Sequence, residues 1–337
     1  MNENKAVIFW LLSGCFLIFT MVVIGGITRL THSGLSMVNW NLFMGVIPPL
    51  NNVQWQETFE LYKTSPEYLK VNYNFTLNEF KSIFFWEYLH RLIGRVLGLV
   101  FIIPFIYFLT KKKFTKKLKI QSFILFLMGA LQGAIGWWMV KSGLVDRPDV
   151  SHYRLAIHLI TAFLTCAYII WVVLHLVSPN DSIGNSKLFR LNIVLFILIV
   201  IQIIYGTFVA GLDAGIGFNS WPKMNGEWIP EAVYSSLDPL WKNFTEGRFG
   251  IQFVHRTLAL IIVAYVFFVW KISKNFTLTK IQKEALTLSF SIVLLQTVLG
   301  IFTLVLVVPF SLALIHQVTA FFLLLSVVYS LFVFKRT

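Results

Sequence analysis

Eight apolar runs fill most of this 337-residue sequence, at 6–27, 84–109, 120–140, 155–177, 191–212, 251–270, 285–308 and 310–334. A helix needs about 20 mostly apolar residues to cross the hydrocarbon core of a bilayer, and each run meets or nearly meets that length. The expected fold is an all-α integral membrane protein with eight transmembrane helices. Charged residues make up only 13% of the chain against about 25% in soluble domains, which excludes a soluble enzyme. The two cysteines, Cys15 and Cys166, fall inside apolar runs, so neither a loop disulfide framework nor a Cys-rich metal site is available. Only Met1 to Lys5 precede the first run, so the first span is expected to stay attached rather than act as a cleaved signal.

Charge sets the orientation. The connection 111–119 holds six lysines in nine residues and the connection 271–283 holds four more, which marks both as cytoplasmic and places both termini there. The formal net charge of +13 then resides almost wholly on the inner side. A basic isoelectric point of about 9.7 is thus topological, and nucleic acid is not an expected partner. The bilayer is. Two long hydrophilic segments, 28–85 and 213–250, lie outside and carry Trp40, Trp55, Trp221, Trp228 and Trp241, readable as parts of structured loops or as interfacial anchors.

The chain repeats itself. Glu87-Tyr-Leu-His90-Arg91 returns as Gln252-Phe-Val-His255-Arg256, and His158 with Thr161-Ala162-Phe163 returns as His316 with Thr319-Ala320-Phe321. Gln132 and Gly136 match Gln296 and Gly300. Two tandem four-helix halves follow, 1–180 and 181–337, and an even number of spans gives both the same orientation. They are expected side by side about a pseudo-two-fold axis along the membrane normal. The first outer segment is about sixteen residues longer than the second, so the halves are expected to differ in role.

His90, His158, His255 and His316 stand at one depth, one in each even-numbered span. A lone membrane histidine usually bonds across helices, but four in duplicated register point to ligation, two imidazoles per bundle. That pattern suits axial ligation of a heme iron, with apolar side chains against the macrocycle. Zinc would want three or four ligands at one point, and none repeats here. Arg91, Arg95, Arg256 and Arg29 could pair with propionates or snorkel to headgroups. Glu87 lies on nearly the same helix face as His90, where the second half has Gln252. An intramembrane carboxyl marks the first half as reactive, the alternative being an ion pair from Glu87 to Arg91 or Arg95. His175 is read as interfacial, and His32 and His152 as loop residues.

These residues resemble the heme A synthase family. The resemblance is carried by Gly25-Gly-Ile-Thr-Arg-Leu-Thr31, Ser33-Gly-Leu-Ser-Met37 with Trp40, Trp86-Glu-Tyr-Leu-His-Arg91 with Gly94-Arg95, Val209-Ala-Gly-Leu-Asp-Ala-Gly215, Phe218-Asn-Ser-Trp-Pro222 and Gln252-Phe-Val-His-Arg256. Pro66-Glu-Tyr68 and Glu79-Phe-Lys81 look most like its mitochondrial and alphaproteobacterial branch, and the short lead favours a bacterium. The resemblance implies oxidation of a heme O methyl group to the formyl group of heme A, by successive hydroxylations and loss of water from a gem-diol. It implies His90 and His158 on the substrate heme with Glu87 as the catalytic acid at its reactive edge, and His255 and His316 on the iron of a resident heme b. Arg91, Arg95, Arg256, Gln252 and Arg29 would contact the hemes. It implies a bacterial inner membrane with periplasmic outer loops, heme O synthase and cytochrome oxidase assembly factors as partners, and an electron donor that it does not identify. Oligomeric state stays open. This chain lacks the outer-loop cysteine pairs of some relatives, and His32 stands where an acidic residue is expected. A di-heme cytochrome serving quinone, or a transporter with a proton relay, are the competing readings of the same histidines.

Overall fold

The computed structural model describes residues 4–38, 46–144, 148–178 and 184–335, and Trp40 lies outside them. Ten α-helices follow one another among the described residues: α1 (Lys5–Leu30), α2 (Asn52–Lys63), α3 (Pro66–Lys70), α4 (Leu77–Thr110), α5 (Lys116–Lys141), α6 (His152–Val177), α7 (Ser186–Gly211), α8 (Arg248–Ser273), α9 (Lys280–Val305) and α10 (Phe310–Phe334). All but α2 and α3 are long and apolar enough to cross a membrane, and each overlaps one of the eight expected runs.

At four of the helices a polar cap explains where helix and run differ. Several helices begin before the apolar stretch because Thr115, Asn185 and Thr279 each accept a first-turn N–H with their side chains. The largest difference is at α4, which starts at Leu77, seven residues ahead of the run. There Thr76 accepts the Glu79 N–H while the Glu79 carboxylate accepts the Thr76 N–H, a reciprocal capping box. His152, expected in a loop, is instead the first residue of α6.

Two compact units form, Lys5–Thr165 and Cys166–Thr337. Their division falls inside α6 and not near residue 180, because the later part of α6 joins the second unit. Trp171 and His175 both meet the Phe332 ring there, and Lys335 lies over Trp171. In that unit α7 packs on α8, α8 on α9, α9 on α10 and α10 back on α7, which closes a four-helix ring. In the first unit α1 packs along α4, and α4 meets α5. Gln132 on α5 donates to the Thr161 hydroxyl on α6, and Arg154 on α6 donates to the Trp138 carbonyl on α5.

The extra length of the first outer segment goes into α2 and α3, which fold onto the start of α4. Met37, Phe59, Tyr62, Phe80, Ile83 and Phe84 form its core, with Trp55 and Tyr68 packed against them. The second outer segment is organised by buried Asn243, whose amide donates to the Tyr234, Leu237 and Leu240 carbonyls and accepts the Leu237 N–H. The tryptophans therefore divide. Trp55 is structural, whereas Trp228 and Trp241 are 64% and 57% exposed, as interfacial anchors should be.

Candidate heme-binding site

The helix before each of the four histidines presents a glycine to the imidazole. Gly25 on α1 faces His90, Gly136 on α5 faces His158, Gly206 on α7 faces His255, and Gly300 on α9 faces His316. A methyl group added at these glycines would lie 3.3, 3.2, 3.0 and 2.9 Å from the respective ring Cε1, closest in the second unit. Any side chain there would push the ring aside, so the four glycines set the place of the imidazoles. Within each unit the two rings lie in electrostatic range of one another, His90 with His158 and His255 with His316.

Three of the four sites share a second device, an amide four residues before the glycine. Gln132 donates to the His158 carbonyl at 3.3 Å, Gln202 to the His255 carbonyl at 3.0 Å, and Gln296 to the His316 carbonyl at 3.0 Å. Gln202 also lies 3.1 Å from His255 Nδ1. At the His90 site the matching residue is Met21. Of this pattern only Gln132 with Gly136 and Gln296 with Gly300 emerge from the repeat; Gln202 and the glycine set need the observation that Gln and Gly recur at a spacing of four ahead of the histidine helices.

A heme iron fits this donor set. The Nδ1 atoms of His90, His158 and His316 are buried with no partner in the protein, and each unit offers two imidazoles from different helices. No group of three or more His, Cys, Asp or Glu gathers in a metal-binding arrangement among the described residues.

Beside the first pair, the Glu87 carboxylate is 4% exposed and accepts three hydrogen bonds. The Ser36 hydroxyl and the Met37 N–H each donate at 2.7 Å, and Arg91 Nη2 donates as its ion-pair partner. The ion pair allowed by the i,i+4 spacing is thus formed. In the second unit the equivalent amide of Gln252 donates instead, to the Phe218 carbonyl at 3.3 Å, and its Oε1 is buried without a partner. Met37 and Phe218 occupy matching positions of the two outer segments, so the acid takes a backbone N–H where the amide takes a backbone carbonyl.

The arginines hold loop backbone. Arg91 donates to the Met37 carbonyl at 3.0 Å, and Arg256 donates to the Ser220 and Pro222 carbonyls with its guanidinium over the Trp221 ring. Each guanidinium pins its own outer segment over the histidine helix. Arg95 follows Arg91 by one turn and is half-buried. Arg29, at the end of α1, lies 3.4 Å from His32 Nδ1. His32 has φ 49°, and its counterpart in the second repeat is Asp213 with φ 50°. Both residue types tolerate the left-handed region, so backbone geometry accounts for a histidine at an acid's position. His175 bonds the Trp171 carbonyl at 2.8 Å, away from the two pairs.

A further carboxyl sits in the outer segment. Glu67 accepts from the Tyr62 hydroxyl at 2.9 Å, and that hydroxyl accepts from Asn72 at 2.8 Å. Burial pushes the Glu67 carboxyl up to about 8, opposed by the Tyr62 hydrogen bond and reinforced by Glu87 and Asp149. The folded state therefore holds this proton more tightly than the unfolded chain, so its stabilising contribution is complete below about pH 4.5 and is lost as pH rises through about 8. Glu67→Gln is expected to flatten the decline in melting temperature of the detergent-solubilised protein between pH 5 and pH 9. Parallel declines in variant and wild type would exclude Glu67 as the source.

Residues 8–328 match the COX15-CtaA family, described as cytochrome oxidase assembly protein. The chain is 51% identical to the heme A synthase of Flavobacterium johnsoniae over 98% of both chains, and 50% identical to that of Flavobacterium psychrophilum over the whole of both. It is 45% identical to the heme A synthase of Nitrosospira multiformis, covering 95% of this chain and 91% of that one. Eight membrane-length helices, two pairs of glycine-seated histidines and full-length similarity of this degree agree: the chain belongs to the COX15-CtaA family.

Proposed function

We propose that this chain performs the reaction for which its relatives are named, the conversion of heme O to heme A, with labour divided between its halves. The observation that carries the division is that two histidine pairs of matched construction differ in one ionisable group, Glu87 beside the first and Gln252 beside the second. His90 and His158 would hold the substrate heme O, and His255 and His316 would hold a resident heme b. The resident heme, when bound, supplies one-electron redox chemistry.

The protein's own part is placement and protons. The glycine contacts fix where each imidazole projects. Glu87 stands where it can take or return a proton at the substrate's reacting edge, and Ser36, Met37 and Arg91 hold the carboxylate in place. Arg91, Arg95 and Arg256, with Gln252 and Arg29, lie at the level where propionates would meet cations. The lysine-rich connections support a topology with both termini in the cytoplasm and the outer segments in the periplasm of a bacterial inner membrane. Heme O synthase upstream and oxidase assembly factors downstream are the partners this activity requires.

Pigment extraction tests the reading. Membranes supplied with heme O and containing this protein are expected to yield heme A, and the purified protein a low-spin heme b. Two permanent, unmodified hemes would favour an electron-transfer cytochrome, and absence of any heme would favour a transporter.

A further inference from the structure

Three of the four histidines are tied at their own backbone, and one is not. Gln132, Gln202 and Gln296 each reach across from the preceding helix and donate to the carbonyl of the histidine they serve. That bond locks two helices together at the level of the ligand. At the fourth site Met21 replaces the amide, and a thioether has no N–H to give. Its methyl lies over Gly94, since a Cβ built there would be 3.4 Å from Met21 Cε.

Gly94 is itself the exception of its set. Four residues beyond His158, His255 and His316 stand Ala162, Ala259 and Ala320, whereas four beyond His90 stands Gly94. This residue closes the helical turn on the histidine carbonyl, and glycine there both loosens the helix and leaves room for the methionine tip. Two replacements thus occur together at one site, and they act in one direction: Met21 has no hydrogen bond to give the His90 carbonyl, and Gly94 loosens the turn that bears it.

We propose that Met21 and Gly94 make His90 the releasable ligand, the mount through which a porphyrin enters and leaves the first half, while the glutamine-tied mounts of the second half keep theirs. This rests on the reading that the first half takes the substrate heme. An enzyme whose substrate and product are both hemes must let go of one in every turnover, whereas a resident heme must not leave. Met21 and Gly94 are positioning residues; neither is placed to touch the reacting carbon.

The test follows loss of heme from full-length protein, loaded with heme O in detergent, to excess apomyoglobin. Wild type is expected to lose heme in two phases, and His90→Ala should abolish the fast one. Met21→Gln with Gly94→Ala is expected to slow the fast phase about three- to tenfold, the factor one net hydrogen bond supplies, and to leave the slow phase alone. The reverse exchange in the second half, Gln202→Met with Ala259→Gly, should accelerate the slow phase by a similar factor, and this variant carries the test if the first does not fold. Unchanged phases in both double variants would overturn the proposal. If wild type instead shows one phase that His90→Ala does not alter, the assignment of substrate heme to the first half falls, and the proposal with it.

Discussion

Alanine at His255 or His316 will remove the heme that copurifies with the protein, or convert it from a six-coordinate low-spin to a high-spin form. The expectation is large because two things fail together. One of the two imidazoles that would hold the heme is gone, and the ring that filled the space against Gly206 or Gly300 is replaced by a void. Neighbours cannot make up the difference. Gln202 and Gln296 are held at the histidine carbonyls, and no other His, Cys, Asp or Glu gathers with them among the described residues. Absorption spectra and hemochrome content of the purified variants provide the measurement, with His90→Ala and His158→Ala as controls that should leave this heme in place. An unaltered low-spin spectrum in both the His255 and His316 variants would end the assignment of the resident heme to the second half.

Glu87→Gln should keep the hemes and lose the oxidation. The amide fills the same volume, and its oxygen can accept from the Met37 N–H and the Ser36 hydroxyl as the carboxylate does. Arg91 retains the Met37 carbonyl, so the outer segment remains pinned. What disappears is the charge and the exchangeable proton, and loss of one general acid or base typically costs about 10² to 10⁴ in rate. The measurement is heme A formed per heme O supplied, alongside heme content. Near wild-type turnover would make Glu87 structural and withdraw the reactive role from the first half. Loss of both hemes would show that the ion pair with Arg91 holds the bundle together, the other role its position allows.

The spans were legible because hydrophobic length is a direct consequence of the bilayer's thickness. The duplicated His90 and His255 and the contrast of Glu87 with Gln252 were legible as well, since a repeat supplies its own control. The first seven residues of α4 were not, because polar residues interrupt the apolar ones there; the signal lay in Thr76 and Glu79, a capping pair in a stretch read as loop. Nor could the sequence show that Tyr62, Glu67 and Asn72 form one buried network, since contacts within an irregular outer segment follow from its packing and from no periodicity. The arginines were ambiguous for another reason. Their distance from an outer carbonyl, which decides what they hold, depends on the path of a loop that spacing does not encode.

The different surroundings of Glu87 and Gln252 bear on how a duplicated protein becomes committed. Where the carboxylate accepts the Met37 N–H and the Ser36 hydroxyl, the amide donates to the Phe218 carbonyl, and Gly217, at the place of Ser36, has no hydroxyl to give. A glutamate introduced at position 252 would set its negative charge against that carbonyl's lone pairs. Copying the ionisable group from one half into the other therefore leaves behind the donors that hold it. Specialisation resides in a neighbourhood, and a single exchanged side chain does not carry it across.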